Sequence, residues 1–115
     1  MRVVFCRCSE TLRHRPAVTR RGRIVLRYSL FWQTIPFLDL LYIDEAYRNR
    51  GFGTQMMREW EAYLVGLGYK YAMTSTQADE DAWKFYEKLG YHKVGGFFPP
   101  DQESEEWMYI KELGK

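Results

Sequence analysis

The stretch YRNRGFGTQMMREWEAYL, Tyr47 to Leu64, decides how the rest of the chain reads. Gly53, Met56, Met57, Trp60, Leu64 and Leu67 recur at helical spacing, which predicts a long amphipathic helix with one apolar stripe. Ahead of it stand two arginines, Arg48 and Arg50, and two glycines, Gly51 and Gly53. A helix start leaves backbone N–H groups without partners and carries the positive end of the helix dipole, so it attracts anions. Glycines there let a phosphate approach the backbone without a Cβ in the way. The Thr54 hydroxyl adds a donor, and the arginines add charge. Two common phosphate loops do not fit. A P-loop needs Lys-Ser/Thr after its second glycine, where this chain has Thr54-Gln55, and a dinucleotide fingerprint needs a third glycine or alanine, where Met56 stands.

Working outward, FLDLLYI (Phe37–Ile43) is a nearly continuous apolar run, as in a central strand covered on both faces. Upstream, Arg23–Trp32 is rich in β formers and QTIP breaks it, while Arg2–Cys8 reads as a short strand followed by a basic loop. Downstream, Gly66 and Gly68 stop the helix, and Tyr69–Thr76 is the next strand. Asp79 offers a cap for a second helix, with Glu80 and Asp81 in its first turn. Ala82, Phe85, Tyr86 and Leu89 form that helix's apolar face, and Gly90 ends it. YHKVGGFF and EWMYIKEL make two final strands. The order β, β, β, α, β, α, β, β predicts one α/β (α+β) domain over residues 1–115, with no repeats and no dividing linker.

Composition narrows the class. The 115 residues are 46% hydrophobic and 28% charged, which suits a folded globular domain. The net charge of +2 gives no case for nucleic acid, although arginines crowd the first quarter. No segment is apolar for long enough to span a membrane. Cys6 and Cys8 have no distant partner, which points to a reducing cytoplasm, and neither His14 nor His92 falls at a metal-ligand spacing, so no metal is expected. Exposed aromatics such as Trp32 or Phe98 would suit a homodimer.

Arg48-x-x-Gly51-x-Gly53, followed by Ala82-x-x-Phe85-Tyr86-x-x-x-Gly90-Tyr91, resembles the two signatures of the GNAT superfamily of acyl-CoA N-acyltransferases, in order and on the expected elements. The resemblance covers roughly Arg23 to Leu113. It implies a mixed central sheet with helices on both faces, here with a shortened N-terminal part, because the family usually opens with a strand and two helices. It also implies acetyl-CoA as cofactor and a small-molecule or peptide amine as acceptor. The reaction expected is acetyl transfer by direct attack in a ternary complex. A cofactor-binding module with weak or no catalysis is the alternative that the short N-terminus suggests.

The resemblance places the cofactor pyrophosphate on the amides from Arg50 through Gly51, Phe52 and Gly53 to Thr54, with Arg48 beside it. It gives Leu41, Tyr42 and Ile43 backbone contacts to the pantetheine arm and the thioester carbonyl. Tyr86 is the candidate proton donor to the leaving thiolate, or else a packing residue. Asp39, inside an apolar strand, is the candidate general base, or else the ion-pair partner of an arginine such as Arg27. Asp79 falls where relatives contact the cofactor arm, with helix capping as its other role. Lys88, like Lys84, is placed to meet the 3′-phosphate or simply to be solvated. Tyr28, Phe31, Trp32, Phe97 and Phe98 are candidates for the acceptor pocket and equally for core. Gly53→Glu is expected to block the cofactor while leaving the fold intact.

Overall fold

The computed structural model describes residues 6–7 and 24–114. Six strands form one mixed sheet: β1 (Cys6–Arg7), β2 (Ile24–Phe31), β3 (Ile35–Ile43), β4 (Tyr71–Gln77), β5 (His92–Phe97) and β6 (Glu106–Glu112), in the order β1-β2-β3-β4-β6-β5. Two α-helices, α1 (Phe52–Gly66) and α2 (Ala82–Lys88), follow β3 and β4, and a 3₁₀ turn at Glu45–Tyr47 precedes α1. The element order is the one expected. Of the predicted first strand only Cys6–Arg7 is described, running parallel to β2, and the basic loop after it lies outside the described residues.

β2 and β3 form an antiparallel hairpin in full register from Ile24↔Ile43 to Phe31↔Ile35, with one bulge at Arg27/Tyr28. Its tip is tighter than predicted. Trp32 and Gln33 take successive left-handed conformations (φ 52° and 58°) and belong to the turn, while β3 already begins at Ile35. Pro36 is therefore a strand residue. It sits one position ahead of the first β3–β4 pair, so the N–H it lacks is missed by no partner on that side.

β3 and β4 are parallel neighbours, and α1 is the crossover between them. The apolar stripe of α1, made by Met56, Met57, Trp60 and Leu64, is buried against Ile24, Leu26, Tyr28 and Leu38. Trp60 packs on Tyr28 at 5.7 Å between ring centres. Polar ties to β6 fix both helices. Glu61 of α1 accepts from the Tyr91 hydroxyl at 2.8 Å and from Lys111 Nζ at 2.7 Å, and Glu87 of α2 accepts from the Tyr109 hydroxyl at 2.9 Å. Lys111 and Tyr109 are two apart on one strand, so both described helices cover the same face of the sheet. The opposite face holds Val25 and Met73, both buried, and a groove described below.

Both helices end in Schellman turns. Tyr69 N–H bonds Leu64 O at 3.0 Å across Gly68 (φ 93°), and Tyr91 N–H bonds Tyr86 O at 3.0 Å across Gly90 (φ 99°). Gly68 and Gly90 are the stops anticipated, while Gly66 is still helical. The start of α2 differs from expectation. The helix opens at Ala82, Asp81 holds the cap position without a side-chain cap bond, and Asp79 and Glu80 stand outside the helix. A turn closed by Glu80 N–H to Gln77 O at 3.1 Å takes up those residues first.

Candidate functional site

β3 and β4 pair only at Phe37↔Met73 and Leu38↔Thr74. Beyond Leu38, β3 stays on β2 up to Ile43 while β4 runs on with β6, so the two parallel strands part. In an antiparallel pair, alternate residues turn their N–H and C=O away from the partner. Over Asp39–Ile43 those groups point toward a neighbour that has left. The parting opens a cleft of ≈ 350 Å³ lined by Leu38–Leu41 on one wall and Thr74–Gln77 on the other, with Glu80, Ala82, Tyr86 and Glu106 at its sides. The Thr74 hydroxyl donates to Leu38 O at 3.3 Å, at the last rung before the split.

At the far end of β3 lies the start of α1. The first bond of the helix is Gln55 N–H to Gly51 O at 3.0 Å, and the amides of Phe52, Gly53 and Thr54 precede it. Gly51 holds the cap position in a left-handed conformation (φ 80°), with no side-chain cap bond, and no acid stands in the first turn. A helix start without a capping oxygen or a carboxylate keeps its positive end for an external anion. Arg48 Nε donates to Ile43 O at 2.9 Å and clamps the turn to the strand. Arg50 is exposed, 6.0 Å from the Tyr47 ring centre.

The two glycines serve different ends. A Cβ on Gly51 would meet open space, and it is the positive φ that requires glycine there. A Cβ on Gly53 would come within 3.1 Å of Ile43 Cδ1 and 3.4 Å of Phe85 Cζ. Gly53 thus lets β3, α1 and α2 meet. The expectation that Gly53→Glu spares the fold is corrected accordingly, because that side chain would have to enter packed atoms.

Tyr86 is 8% exposed and reaches the cleft from α2. Burial pushes its pKa up to about 12, with the neighbouring Thr74 side chain opposing the shift. Asp39 lines the same cleft, but it is exposed rather than buried, and its Oδ1 accepts from the Ser29 hydroxyl at 3.1 Å. Among the described residues Asp39 forms no ion pair with Arg27, whose Nε is buried without a hydrogen-bond partner there. Leu41 lines the cleft, while Tyr42 and Ile43 continue β3 beyond it toward α1. Asp79 is exposed in the turn before α2. Lys88 is exposed in the last turn of α2, three residues beyond the Phe85 that abuts Gly53.

Sequence reasoning singles out only Asp39, Leu41 and Tyr86 of the cleft lining, and the polar residues it misses include Thr74 and Glu106. A hydroxyl at an otherwise apolar inner position of a strand is a usable signal for Thr74, which is 2% exposed. Glu106 sits at the first residue of β6, half-buried, and no local pattern marks it. Of the aromatic candidates, Phe31, Trp32 and Phe97 line a second groove of ≈ 680 Å³ on the sheet face opposite the helices. Tyr28 is core, and Phe98 stands outside that groove at 67% exposure.

A mixed sheet whose central parallel strands part beside an uncapped helix start is the architecture of an acyl-CoA-dependent transferase fold. The model of the acetyltransferase (GNAT) family matches residues 22–91, and the chain belongs to that family. No curated protein matches it by sequence. Among solved structures it is similar to Ard1 from Thermoplasma volcanium, with TM-score 0.74 and 16% identity over 87% of this chain and 70% of that one. It is also similar to the ribosomal-protein-S18-alanine N-acetyltransferase from Escherichia coli, with TM-score 0.71 and 13% identity over 87% and 68% of the two chains. A third is a protein from Bacillus anthracis str. Ames, assigned as a streptothricin acetyltransferase and solved with acetyl coenzyme A, with TM-score 0.72 and 20% identity over 86% and 61%. At these identities the likeness is one of fold. Acetyltransferases of this family draw their acyl group from acetyl-CoA.

Proposed function

We propose that the chain is an N-acetyltransferase that moves an acetyl group from acetyl-CoA to a primary amine in a ternary complex. The observation that carries this reading is the continuity of the two half-sites. The cleft at Leu38/Thr74 and the uncapped amides of α1 are joined by the run of β3 to Ile43. Five residues of strand span about 17 Å, the reach of an extended arm lying between a thioester and a diphosphate. The free amides of Phe52, Gly53 and Thr54, with Arg50 outside them, suit the diphosphate. Backbone groups of Leu41, Tyr42 and Ile43 that face away from β2 suit the amides of the arm. Acetyl-CoA, when bound, supplies an acyl group activated as a thioester.

Tyr86 is protonated at neutral pH and stands in the cleft wall beside Thr74, at the split itself. A hydroxyl of pKa about 12 does not simply surrender its proton to a thiolate, since free thiols titrate near about 8.5. In this reading it hydrogen-bonds the developing thiolate and passes a proton on only as it receives one from the attacking nitrogen. Asp39, exposed at the cleft edge, attracts the acceptor as its ammonium ion.

The test combines calorimetric titration with acetyl-CoA and thiol release over a panel of primary amines. Binding together with amine-dependent release is expected. Tyr86→Phe should lower kcat about a hundredfold while leaving acetyl-CoA affinity unchanged. Binding without release for any amine would leave a cofactor-binding module, and no binding would remove the reading altogether.

A further inference from the structure

The split cleft and the larger groove are not separate. Ser75 and Glu106 line both. The reason is geometric. Glu106, Met108 and Ile110 alternate onto one face of β6, and Ser75 pairs with Met108, so these side chains share the sheet face away from the helices. Because β3 has left β4, the cleft opens through the sheet and meets the groove at Glu106.

The groove has a definite chemistry. Phe31 stacks on Phe37 at 6.1 Å and meets Trp32 at 6.5 Å, and Phe97 and Met108 complete an apolar lining. Among the described residues lining the two cavities, every charged side chain is an acid: Asp39, Glu80 and Glu106. Glu106 is also oriented. Its Oε1 accepts from Gln102 Nε2 at 3.1 Å, and that amide is fixed in turn by Ser104 O at 2.9 Å and by Gln77 at 3.3 Å. Its Oε2 has no hydrogen-bond partner among the described residues.

We propose that the groove is the acceptor site, that its substrates are primary amines carried on an aromatic or bulky apolar body, and that Glu106 holds the ammonium group and takes its proton. The proposal rests on the acetyl-transfer reading above and deepens it. An alkyl ammonium titrates near about 10, so the amine arrives as a cation and meets carboxylates. It must then lose a proton before its lone pair can attack. The carboxylate held against the nitrogen takes that proton at Oε2. The freed pair forms the C–N bond to the thioester carbonyl carbon as the C–S bond breaks. A second N–H proton reaches sulfur through Tyr86, and Glu106 returns its own to water.

The experiment uses the full chain, first without acetyl-CoA. Calorimetry with 2-phenylethylamine, ethylamine and 3-phenylpropionate separates the apolar contribution from the charge. Expected are clear binding of 2-phenylethylamine, at least tenfold weaker binding of ethylamine, and none of the carboxylate. Trp32→Ala, at an exposed position, should weaken the aromatic amine only. Glu106→Gln should weaken it about tenfold and, in turnover, move the acid limb of the pH–rate profile up to the titration of the free amine, with activity returning at high pH where the amine is already neutral. Equal binding of the two amines, or a Glu106→Gln profile identical to the parent, overturns the proposal. Acetyl-CoA titration of the same variants keeps the two readings apart. Loss of cofactor binding by the parent chain sinks acetyl transfer, whereas normal cofactor binding with indifferent amine binding sinks only the assignment of the groove.

Discussion

Gly53 owes its identity to two neighbours, Ile43 Cδ1 and the Phe85 ring, at 3.1 and 3.4 Å from where a Cβ would stand. Gly51 owes its identity to a φ of 80° with open space around it. The two alanine variants should therefore fail differently. Gly53→Ala overpacks the meeting point of β3, α1 and α2 and should cost about 1–3 kcal/mol, with a lower midpoint in urea. Gly51→Ala should cost roughly 1–2 kcal/mol from the left-handed backbone alone. The two arginines divide in the same manner. Arg48 bonds Ile43 O at 2.9 Å, so Arg48→Ala should lose about 1 kcal/mol of stability as well as cofactor affinity. Arg50 is exposed and, among the described residues, bonded to no carbonyl, so Arg50→Ala should weaken acetyl-CoA severalfold at unchanged stability, and more at low salt. Denaturation in parallel with calorimetry separates the four variants. Equal stability loss for Arg48→Ala and Arg50→Ala would mean that the clamp on Ile43 is not what holds the turn.

At the scale of elements, the decisive event is the departure of β4 from β3 after Leu38↔Thr74. Thr74 ties the split to the chemistry, because its hydroxyl donates to Leu38 O and its side chain lowers the pKa of the neighbouring Tyr86. Thr74→Val keeps the shape and removes the hydroxyl that bonds Leu38 O and acts on Tyr86. It should cost about 1–3 kcal/mol for the polar groups left buried and lower kcat without changing acetyl-CoA affinity, because the diphosphate end is untouched. An unchanged kcat would detach Tyr86 from the reaction. What could be read in advance divides along the same line. The helices, their glycine stops and the anion-ready turn follow from contacts within a few residues, and the apolar stripe of α1 is visible as Met56, Met57, Trp60 and Leu64. The hairpin tip departs from the local pattern because Trp32 and Gln33 adopt positive φ without being glycine or asparagine. The split, Thr74 and Glu106 depend on strand register across more than thirty residues, which no local pattern encodes. Asp39 looked buried from its apolar neighbours, and only the position of the strand beside an open cleft shows why its carboxylate stays wet.

At the scale of the whole molecule, the helical layer is fastened to the sheet by tyrosine hydroxyls. Tyr91, just ahead of β5, donates to Glu61 of α1, and Tyr86 of α2 stands beside Thr74 of β4. Burial raises the pKa of both, and for Tyr91 the Glu61 carboxylate raises it further. Tyr86 is pushed from 10.0 to about 12. Below pH 10 these phenols are neutral in the folded and unfolded chains alike, and their contribution is complete. Above pH 10 the unfolded chain ionises first and binds fewer protons, so stability falls as pH rises. The loss attached to Tyr86 accumulates up to its folded pKa and reaches about 2–3 kcal/mol. The urea midpoint should therefore be flat from neutral pH to pH 9 as far as these groups are concerned and drop between pH 10 and 12. Tyr86→Phe should remove about one proton's worth of slope, roughly 1.4 kcal/mol per pH unit, and leave the remainder carried by Tyr91 and Tyr109, whose pKa values burial and a carboxylate also raise. A Tyr86→Phe variant with the parent's alkaline slope would show that the hydroxyl is solvated in the folded chain. In that case the same hydroxyl could not sit dry in the cleft wall beside a leaving thiolate, so the equilibrium measurement tests the catalytic assignment without any substrate present.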